Sequence, residues 1–552
     1  MEKDVFTFIV GGKAGEGIKK AGSVASQICI NKGLQVFQMD DYMSLIRGGH
    51  NFSVVSTANR WVSSHYMKAD LIVNFDKRSC ELHKKHLSEG GLNVYNSDEF
   101  NDDDDGIGVP LTSEAKKYPA KRLMFGVGSI AILAASIGLE KEGLNSIVRK
   151  EYKSNLEDNI SYADTIYDIA FPKLGRKFSI KDGDKKRPII TGNQAICLGA
   201  IAGGLDVYYG YPMSPASSIL HYLATHADNF GLAVVHAESE IAVINMAIGS
   251  SFTGAKAMVG TSGGGFALMV EGLSLAGMAE APLLCILSMR PGPATGVPTY
   301  TGQSDLYFAL NAGHGEFLRI VACPSTVEEA YYLTSELLNL VWKFQTPGIL
   351  LTEKHLSESW MTVDFDIEKA EWAEPLMHNV GPYKRYLDTP NGISPLLFPP
   401  SREIIKWTSY EHDELGITTE EPEIIAKMHE KRDKKNQTLI EYLRKRKTLN
   451  IYGNKGPVIM TYGSTTMSVL EALKYGGIDA TVIQPIYLNP FPVWELKNYE
   501  DQSVITVEQS REGQFTRLIK EKCGIKSKVL INKYDGRPFD PINLSNKIKE
   551  VI

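Results

Sequence analysis

The sequence predicts an α/β protein made of three α/β domains, and three observations carry that prediction. Short apolar runs of strand character alternate with helical periods along nearly the whole chain, the pattern of layered α/β units. At 552 residues the chain exceeds what one hydrophobic core fills, so roughly three domains are expected. Polar stretches at 176–188 and 379–454 separate the alternating regions.

Residues 1–175 alternate "VFTFIVGG", "LQVFQM", "LIVNF" and "GLNVYN" with the helical "AGSVASQICINKG" and "MFGVGSIAILAASIG". The acidic "DEFNDDDDG" (98–106) reads as a solvated loop. The segment "PKLGRKFSIKDGDKKRP" is charged and poor in large apolar residues, which predicts a linker over 176–188. A second α/β domain spans 189–378, with "AICLGAIAGGLDVYYGYP", "LAVVHAESEIAVINMAIGSS", "AKAMVGTSGGG" and "APLLCILSMRPGP". The connecting segment 379–454 carries the helical "IAKMHEKRDKKNQTLIEYLRKRK", whose basic tail reads as an exposed helix face. A third α/β domain, 455–552, opens on "GPVIMTYGS" and continues through "DATVIQPIYLNPFP" and "SVITVEQS".

Composition narrows the function classes. Hydrophobic content of 43% and charged content of 22% are ordinary for a globular protein. A net charge of −6 gives no sign of a nucleic-acid partner. No apolar run approaches bilayer-spanning length, so no membrane association is expected. The start, "MEKDVFTFIVGG", enters a strand with no basic n-region, which predicts a cytoplasmic chain. The six cysteines, Cys29, Cys80, Cys197, Cys285, Cys323 and Cys523, form no CxxC pair. A zinc site or iron–sulfur cluster built by this chain alone is therefore not expected. Cys197 and Cys285 lie within apolar runs and read as core residues.

Chemistry is expected at strand-to-helix junctions. "YYGYPMSPASSIL" (208–220) brackets Ser214 with two prolines after an aromatic strand, a rigid turn at a strand end. "HAESEIAVINMAIGSS" (236–251) places Glu238 and Glu240 before an apolar helix, where capping explains a carboxylate as well as catalysis does. "GTSGGGFALMVEG" (260–272) is glycine-rich before a helix. "SMRPGPATG" (288–296) leads Arg290 out of a strand into a Pro/Gly turn, a position suited to gripping a carboxylate with two hydrogen bonds. One active-site edge of one sheet explains all four junctions, and so do four unrelated turns. "GGKAGEGIKKAG" (11–22) follows a strand and opens a helix, so Gly12, Gly15 and Gly17 suit either an anionic group or a tight packing turn. It fails both the GxGxxG and the P-loop spacing. "IRGGH" (46–50) sets Arg47 beside two glycines, as a close-approach loop or a surface turn does.

These stretches resemble a known family. "YPMSPASS", "AESEIAVINMAIGSS", "TSGGGFALMVEGLSLAGMAEAPL" and "RPGPATGVPTYTGQSDL" resemble the α subunit of 2-oxoacid:ferredoxin oxidoreductases. "GGKAGEG" with "IRGGH" resembles the γ domain, fused upstream of α, and the likeness continues through "RYLDTPNGISP", "YEHDELG" and "VEQSREGQ" to "DGRPFDP". The resemblance implies a γ-type domain, a thiamine diphosphate pyrimidine-binding domain and a transketolase C-terminal-like domain, in that order. It implies CoA-dependent oxidative decarboxylation of a 2-oxoacid, with electrons passed to ferredoxin. The Gly-Asp-Gly stretch that holds diphosphate and magnesium in the family is missing, "KDGDKK" lying in the linker. Thiamine diphosphate is thus expected to be shared with a β subunit that brings Mg²⁺ and a [4Fe-4S] cluster, in an αβ heterodimer or an (αβ)2 heterotetramer. By the same resemblance Glu240 hydrogen-bonds the aminopyrimidine, Ser262 and Gly263 contact the cofactor, Tyr211, Ser214 and Arg290 contact the substrate, and Gly12, Gly15, Gly17 and Arg47 form a loop for coenzyme A or another anion. The chain departs from the family where Met213 and Ser214 replace isoleucine–threonine and where Gly264 replaces a frequent proline. 2-Oxoglutarate, pyruvate and branched 2-oxoacids all remain candidate substrates. Two rivals are a nicotinamide dehydrogenase, which would need the absent GxGxxG, and a non-catalytic scaffold or substrate-binding subunit with a degenerate cofactor pocket, against which Glu240 and Arg290 argue.

Overall fold

The computed structural model describes residues 4–43, 49–101, 106–379 and 381–552. Arg47, most of the "IRGGH" loop and part of the acidic 98–106 loop lie outside them. The chain folds into two compact units. The first takes Met1–Ile190 with two short later segments, Glu358–Asp364 and Asp540–Leu544. The second takes Thr191–Ser357, Phe365–Phe539 and Ser545–Ile552.

The first unit is built on an eight-stranded mixed sheet. Its central strand, Phe6–Lys13, pairs parallel with Ala69–Asn74 and antiparallel with His50–Ala58. Phe6 to Gly12 are all buried, because helices cover the sheet and the strand reads as a continuous apolar run. The helix Phe125–Ile137 is buried at every position before Ile137, as expected of a helix apolar all round. Residues 176–188, expected as a linker, are tied down. Asp182 pairs with Lys32 at 2.7 Å and Lys185 with Asp364 at 2.5 Å, and the backbone of Gly183 lies against Gly33.

Two sheets share the second unit. The seven-stranded sheet runs Tyr487–Asn489, Ile320–Ala322, Pro347–Glu353, Leu283–Met289, Ala257–Thr261, Val207–Gly210, Ala233–His236, and only Tyr487–Asn489 is antiparallel. The five-stranded sheet runs Leu449–Tyr452, Thr481–Pro485, Val458–Met460, Val504–Glu508, Ser527–Asn532, with Leu449–Tyr452 antiparallel. Residues 455–552, expected as a separate domain, share one continuous core with the larger sheet: Met460, Tyr462 and Ile483 pack with Val321, Cys323 and Ile349. Among the described residues no helix is long and apolar enough to cross a membrane. All six cysteines are buried, Cys197 and Cys285 fully so.

Candidate active-site edge

In the seven-stranded sheet the chain passes from Val207–Gly210 to Ala233–His236 on one side, then returns to Ala257–Thr261 on the other. That reversal opens a crevice beyond the carboxyl ends of the strands, where open α/β sheets take ligands. The four junctions picked out in the sequence are the extensions of the four strands Val207–Gly210, Ala233–His236, Ala257–Thr261 and Leu283–Met289, which are consecutive neighbours. The topology therefore puts them on one edge.

The two glutamates of "HAESE" separate cleanly. Ser239, not a carboxylate, caps the helix Glu240–Phe252, its hydroxyl accepting from Ala242 N–H at 3.3 Å. Glu238 is exposed. Glu240 is 4% exposed, and its Oε1 has no hydrogen-bond partner within the chain. A buried acceptor of that kind costs stability unless something outside the chain donates to it. The space beside it is kept by Gly265, where a Cβ would come within 2.5 Å of Glu240 Oε1 and 2.2 Å of Thr261 Oγ1. Any side chain there would displace the carboxylate.

Ser262 precedes the helix Gly263–Met278 but does not cap it, and its fully buried hydroxyl has no partner. Gly263 lies against Asp305, where a Cβ would come within 2.5 Å of Oδ2, and Gly264 leaves the start of this helix open. A Cβ on Gly264 would find only Met213 Sδ at 3.9 Å and Ala294 O at 4.0 Å. The two departures from the family thus face each other, the longer methionine opposite the missing side chain.

Arg290 is 9% exposed and donates from Nη1 to the carbonyl of Ser214 at 2.8 Å, leaving Nε without a partner. Burial pushes its guanidinium below the usual range, while nearby Asp305 opposes that shift. The prolyl turn is anchored from beneath by Asn193, whose Nδ2 donates to Pro215 O at 2.8 Å and to Ser218 Oγ at 2.7 Å. Tyr211 stands at the outer end of the turn, 38% exposed, with its ring 6.3 Å from that of His236. Sequence reasoning missed Asn193 and Asp305; neither carries a local pattern, since each acts on a segment far along the chain.

In the first unit, Gly12 is the penultimate residue of the central strand, Gly15 and Gly17 adopt φ of 92° and 79°, and Gly17 precedes the helix Ile18–Asn31. Glu16 turns into this loop and accepts from Lys13 N–H at 2.8 Å. Burial raises its carboxyl pKa, the Lys13 amide opposing. A Cβ on Gly15 would meet nothing within 4 Å, so the loop is open there.

This sheet edge leaves a carboxylate oxygen, a hydroxyl and a guanidinium nitrogen unpaired beside the start of the helix Gly263–Met278. A family model described as "Pyruvate flavodoxin/ferredoxin oxidoreductase, thiamine diP-bdg" matches residues 198–431, and one described as "Pyruvate ferredoxin/flavodoxin oxidoreductase" matches residues 7–169. The 2-oxoacid:ferredoxin oxidoreductase subunit alpha of Sulfolobus sp is 31% identical over 99% of this chain and 97% of the relative. The 2-oxoglutarate synthase subunit KorA of Archaeoglobus fulgidus is 30% identical over 66% of this chain and 98% of its own length. A solved structure of 2-oxoglutarate:ferredoxin oxidoreductase from Magnetococcus marinus, with 2-oxoglutarate, coenzyme A and succinyl-CoA bound, superposes with a TM-score of 0.91 at 30% identity, covering 99% of each chain. The chain belongs to the α subunits of the 2-oxoacid:ferredoxin oxidoreductases.

Proposed function

We propose that this α subunit, with its γ-type region fused upstream, forms the aminopyrimidine and 2-oxoacid side of an active site completed by a β partner. The family reaction is oxidative decarboxylation of a 2-oxoacid, with an iron–sulfur protein as electron acceptor. The observation that carries the residue assignment is the buried, unpartnered Oε1 of Glu240 behind a glycine that only an absent side chain leaves open. Those residues fit an aminopyrimidine, a flat ring with donors at its edge. Thiamine diphosphate, when bound, supplies the nucleophilic carbon and the electron sink for decarboxylation. Glu240 holds a ring nitrogen and keeps the proton there. Ser262 and Gly263 line the ring's edge, with their backbone at the helix start.

Arg290 takes the carboxylate of the 2-oxoacid. Ser214 acts on it through its carbonyl, which fixes one arm of the guanidinium and leaves the remaining donors for the substrate. Tyr211 lies at the mouth of the same turn. For an anionic group of coenzyme A, the reading rests on the Gly12–Gly17 loop, with its open Gly15 and the helix start behind Gly17.

The β partner brings diphosphate-binding residues, magnesium and the cluster, in an αβ or (αβ)2 assembly that reduces ferredoxin. An apolar face beside Glu240 supports its place. Ile241 and Leu268 are 50% and 51% exposed, Met246 is also exposed, and a Cβ on Gly249 would meet nothing within 4 Å. A partner seated there would bury these apolar side chains.

The test is an assay of the chain co-expressed with its β partner, following reduction of a viologen dye. Reduction should require both coenzyme A and a 2-oxoacid, with 2-oxoglutarate, pyruvate and a branched 2-oxoacid compared. A complex that reduces the dye with none of the three would sink the reading.

A further inference from the structure

Three consecutive glycines open the helix Gly263–Met278, and two of them have a reason inside the chain. A Cβ on Gly263 would come within 2.5 Å of Asp305 Oδ2, and one on Gly265 within 2.5 Å of Glu240 Oε1. Gly264, between them, has no such reason. Its backbone is ordinary helix, and a Cβ there would make only van der Waals contacts, with Met213 Sδ at 3.9 Å and Ala294 O at 4.0 Å. Alanine would also favour the helix more than glycine does. Gly264 is exposed, and the gap above it fits something that the chain does not itself supply.

The place of the gap narrows what that is. Half-buried Met213 forms one wall, and the next residue is Ser214, whose carbonyl holds Arg290 Nη1 at 2.8 Å. Gly264 forms the floor, and the next residue is Gly265, which faces Glu240. Arg290 Nε and Glu240 Oε1 are buried polar atoms without a partner, and so is Ser262 Oγ at the helix start. Successive residues are about 3.8 Å apart, so the gap lies one residue step from the contact of each of these two groups. A 2-oxoacid carries its carboxylate, its ketone carbon and its side chain on successive carbons. With the carboxylate at Arg290 and the ketone turned to a cofactor held at Glu240, the side chain extends over the ground between them. That ground is a glycine and a thioether, apolar and adaptable in shape.

We propose that Met213 and Gly264 are specificity-determining residues: the gap over Gly264 takes the aliphatic stretch of the 2-oxoacid side chain, and Met213 is its adjustable wall. The inference rests on the assignments of Arg290 and Glu240 made above.

The experiment uses the intact complex and substrates that differ by methylenes: pyruvate, 2-oxobutyrate and 2-oxopentanoate in one series, 2-oxoglutarate and 2-oxoadipate in another. The readout is the ratio of kcat/KM for the longer to the shorter substrate within a series. Both substrates meet the same preparation, so misfolded protein cancels from the ratio. Gly264→Val fills the gap and should lower the ratio by about tenfold or more, the scale of one methylene in a fitted pocket. Gly264→Ala should lower it by less, and it decides the matter if the valine variant is inactive. Met213→Ala widens the gap and should raise the ratio, opposite in sign to the glycine variants. Where the wild type uses only the shorter member, Met213→Ala alone decides, by admitting the longer one or not. Unchanged ratios in the glycine and methionine variants, or a fall with Met213→Ala, overturn the proposal. Arg290→Lys separates the two levels. If it leaves kcat/KM unchanged for every substrate, or if the wild type turns over none of them, the site assignment itself fails and the inference falls with it. If it lowers kcat/KM while the ratios of the other variants stay at the wild-type value, only the inference fails.

Discussion

The second unit has two places where a parallel sheet reverses its strand order, and they have opposite fates. In one, Val207–Gly210 is flanked by Ala233–His236 and Ala257–Thr261; in the other, Val458–Met460 is flanked by Thr481–Pro485 and Val504–Glu508. Both reversals open a crevice at the strand ends by topology alone. The second is filled from within. Gln303 donates to Tyr462 O at 3.0 Å and accepts from Thr465 Oγ1 at 2.8 Å and Gln509 N–H at 2.9 Å. Glu353 accepts from Ser464 N–H at 2.9 Å, at the start of the helix Thr465–Gly476. There the chain supplies its own anion to a helix N-terminus. At the first crevice Glu240, Ser262 and Arg290 keep unpaired atoms, and the second, though bridged by Gln303, still keeps Glu353 Oε2, Ser464 Oγ and Thr466 Oγ1 unpaired. A switch point is thus an opportunity, and the side chains that do or do not enter it decide whether it stays a site.

Substitutions can break that contrast. The largest effect is expected from Glu240→Ala in the complex. Turnover should drop by roughly 10²–10⁴-fold, the scale of a positioned acid–base group. The fold should survive, because the change removes an unpaired buried acceptor rather than a bonded one. Glu238→Ala, on the exposed neighbour, should leave turnover within about twofold. Equal losses from both would mean that burial does not distinguish the two carboxylates.

Arg290→Lys comes next. Lysine keeps the charge but loses the planar fork, and with it one charge-assisted hydrogen bond to the substrate. The loss in kcat/KM should be roughly 10–100-fold, with thiamine content and dithionite reduction of the complex unchanged. Steady-state kinetics with several 2-oxoacids, together with a thiamine assay, measure it. An unchanged kcat/KM for every substrate would return Arg290 to the status of a turn residue.

Much of the open edge was legible because each junction is a local pattern. Prolines bracketing Ser214, glycines before the Gly263 helix and a carboxylate ahead of an apolar run are short-range signals, and the topology only had to bring four of them together. The filled crevice was not legible. Gln303 and Glu353 bond to residues more than a hundred positions away, and "TYGS" alone announces no partner. The helix Pro422–Leu443 shows the same limit from another side. Its basic tail is exposed at Arg444, Lys445 and Lys447, as expected, yet upstream of it Lys431 and Lys435 are buried and hold the buried Glu280 at 2.7 and 2.5 Å. Burial alone would raise the Glu280 carboxyl pKa, but Lys431, Lys435 and Arg385 outweigh it and hold it well below the usual range. No sequence window contains both halves of that cluster.

The smallest effect is expected at the filled crevice, and it concerns stability rather than turnover. Glu353 is fully buried and its Oε2 has no partner in the chain. Burial pushes its carboxyl up to about 7 from 4.5, with bonding to Ser464 opposing. Between those two pH values the native state binds more protons than the unfolded chain, so stability falls as pH rises through this window. Above about pH 7 the full penalty is present. Glu353→Gln keeps an acceptor for Ser464 N–H and removes the charge. Relative to the wild type, the variant should therefore gain about 1–3 kcal/mol in unfolding free energy between pH 5 and pH 8. Comparing the two proteins at each pH cancels the other titrating groups. It also cancels any fixed cost of the new amide, which does not change with pH. Denaturant melts at pH 5, 6, 7 and 8 give the difference directly. Curves that stay parallel across the range would show that Glu353 carries no buried penalty. A large loss of 2-oxoacid turnover in the same variant would mean that the second crevice, too, takes part in the chemistry.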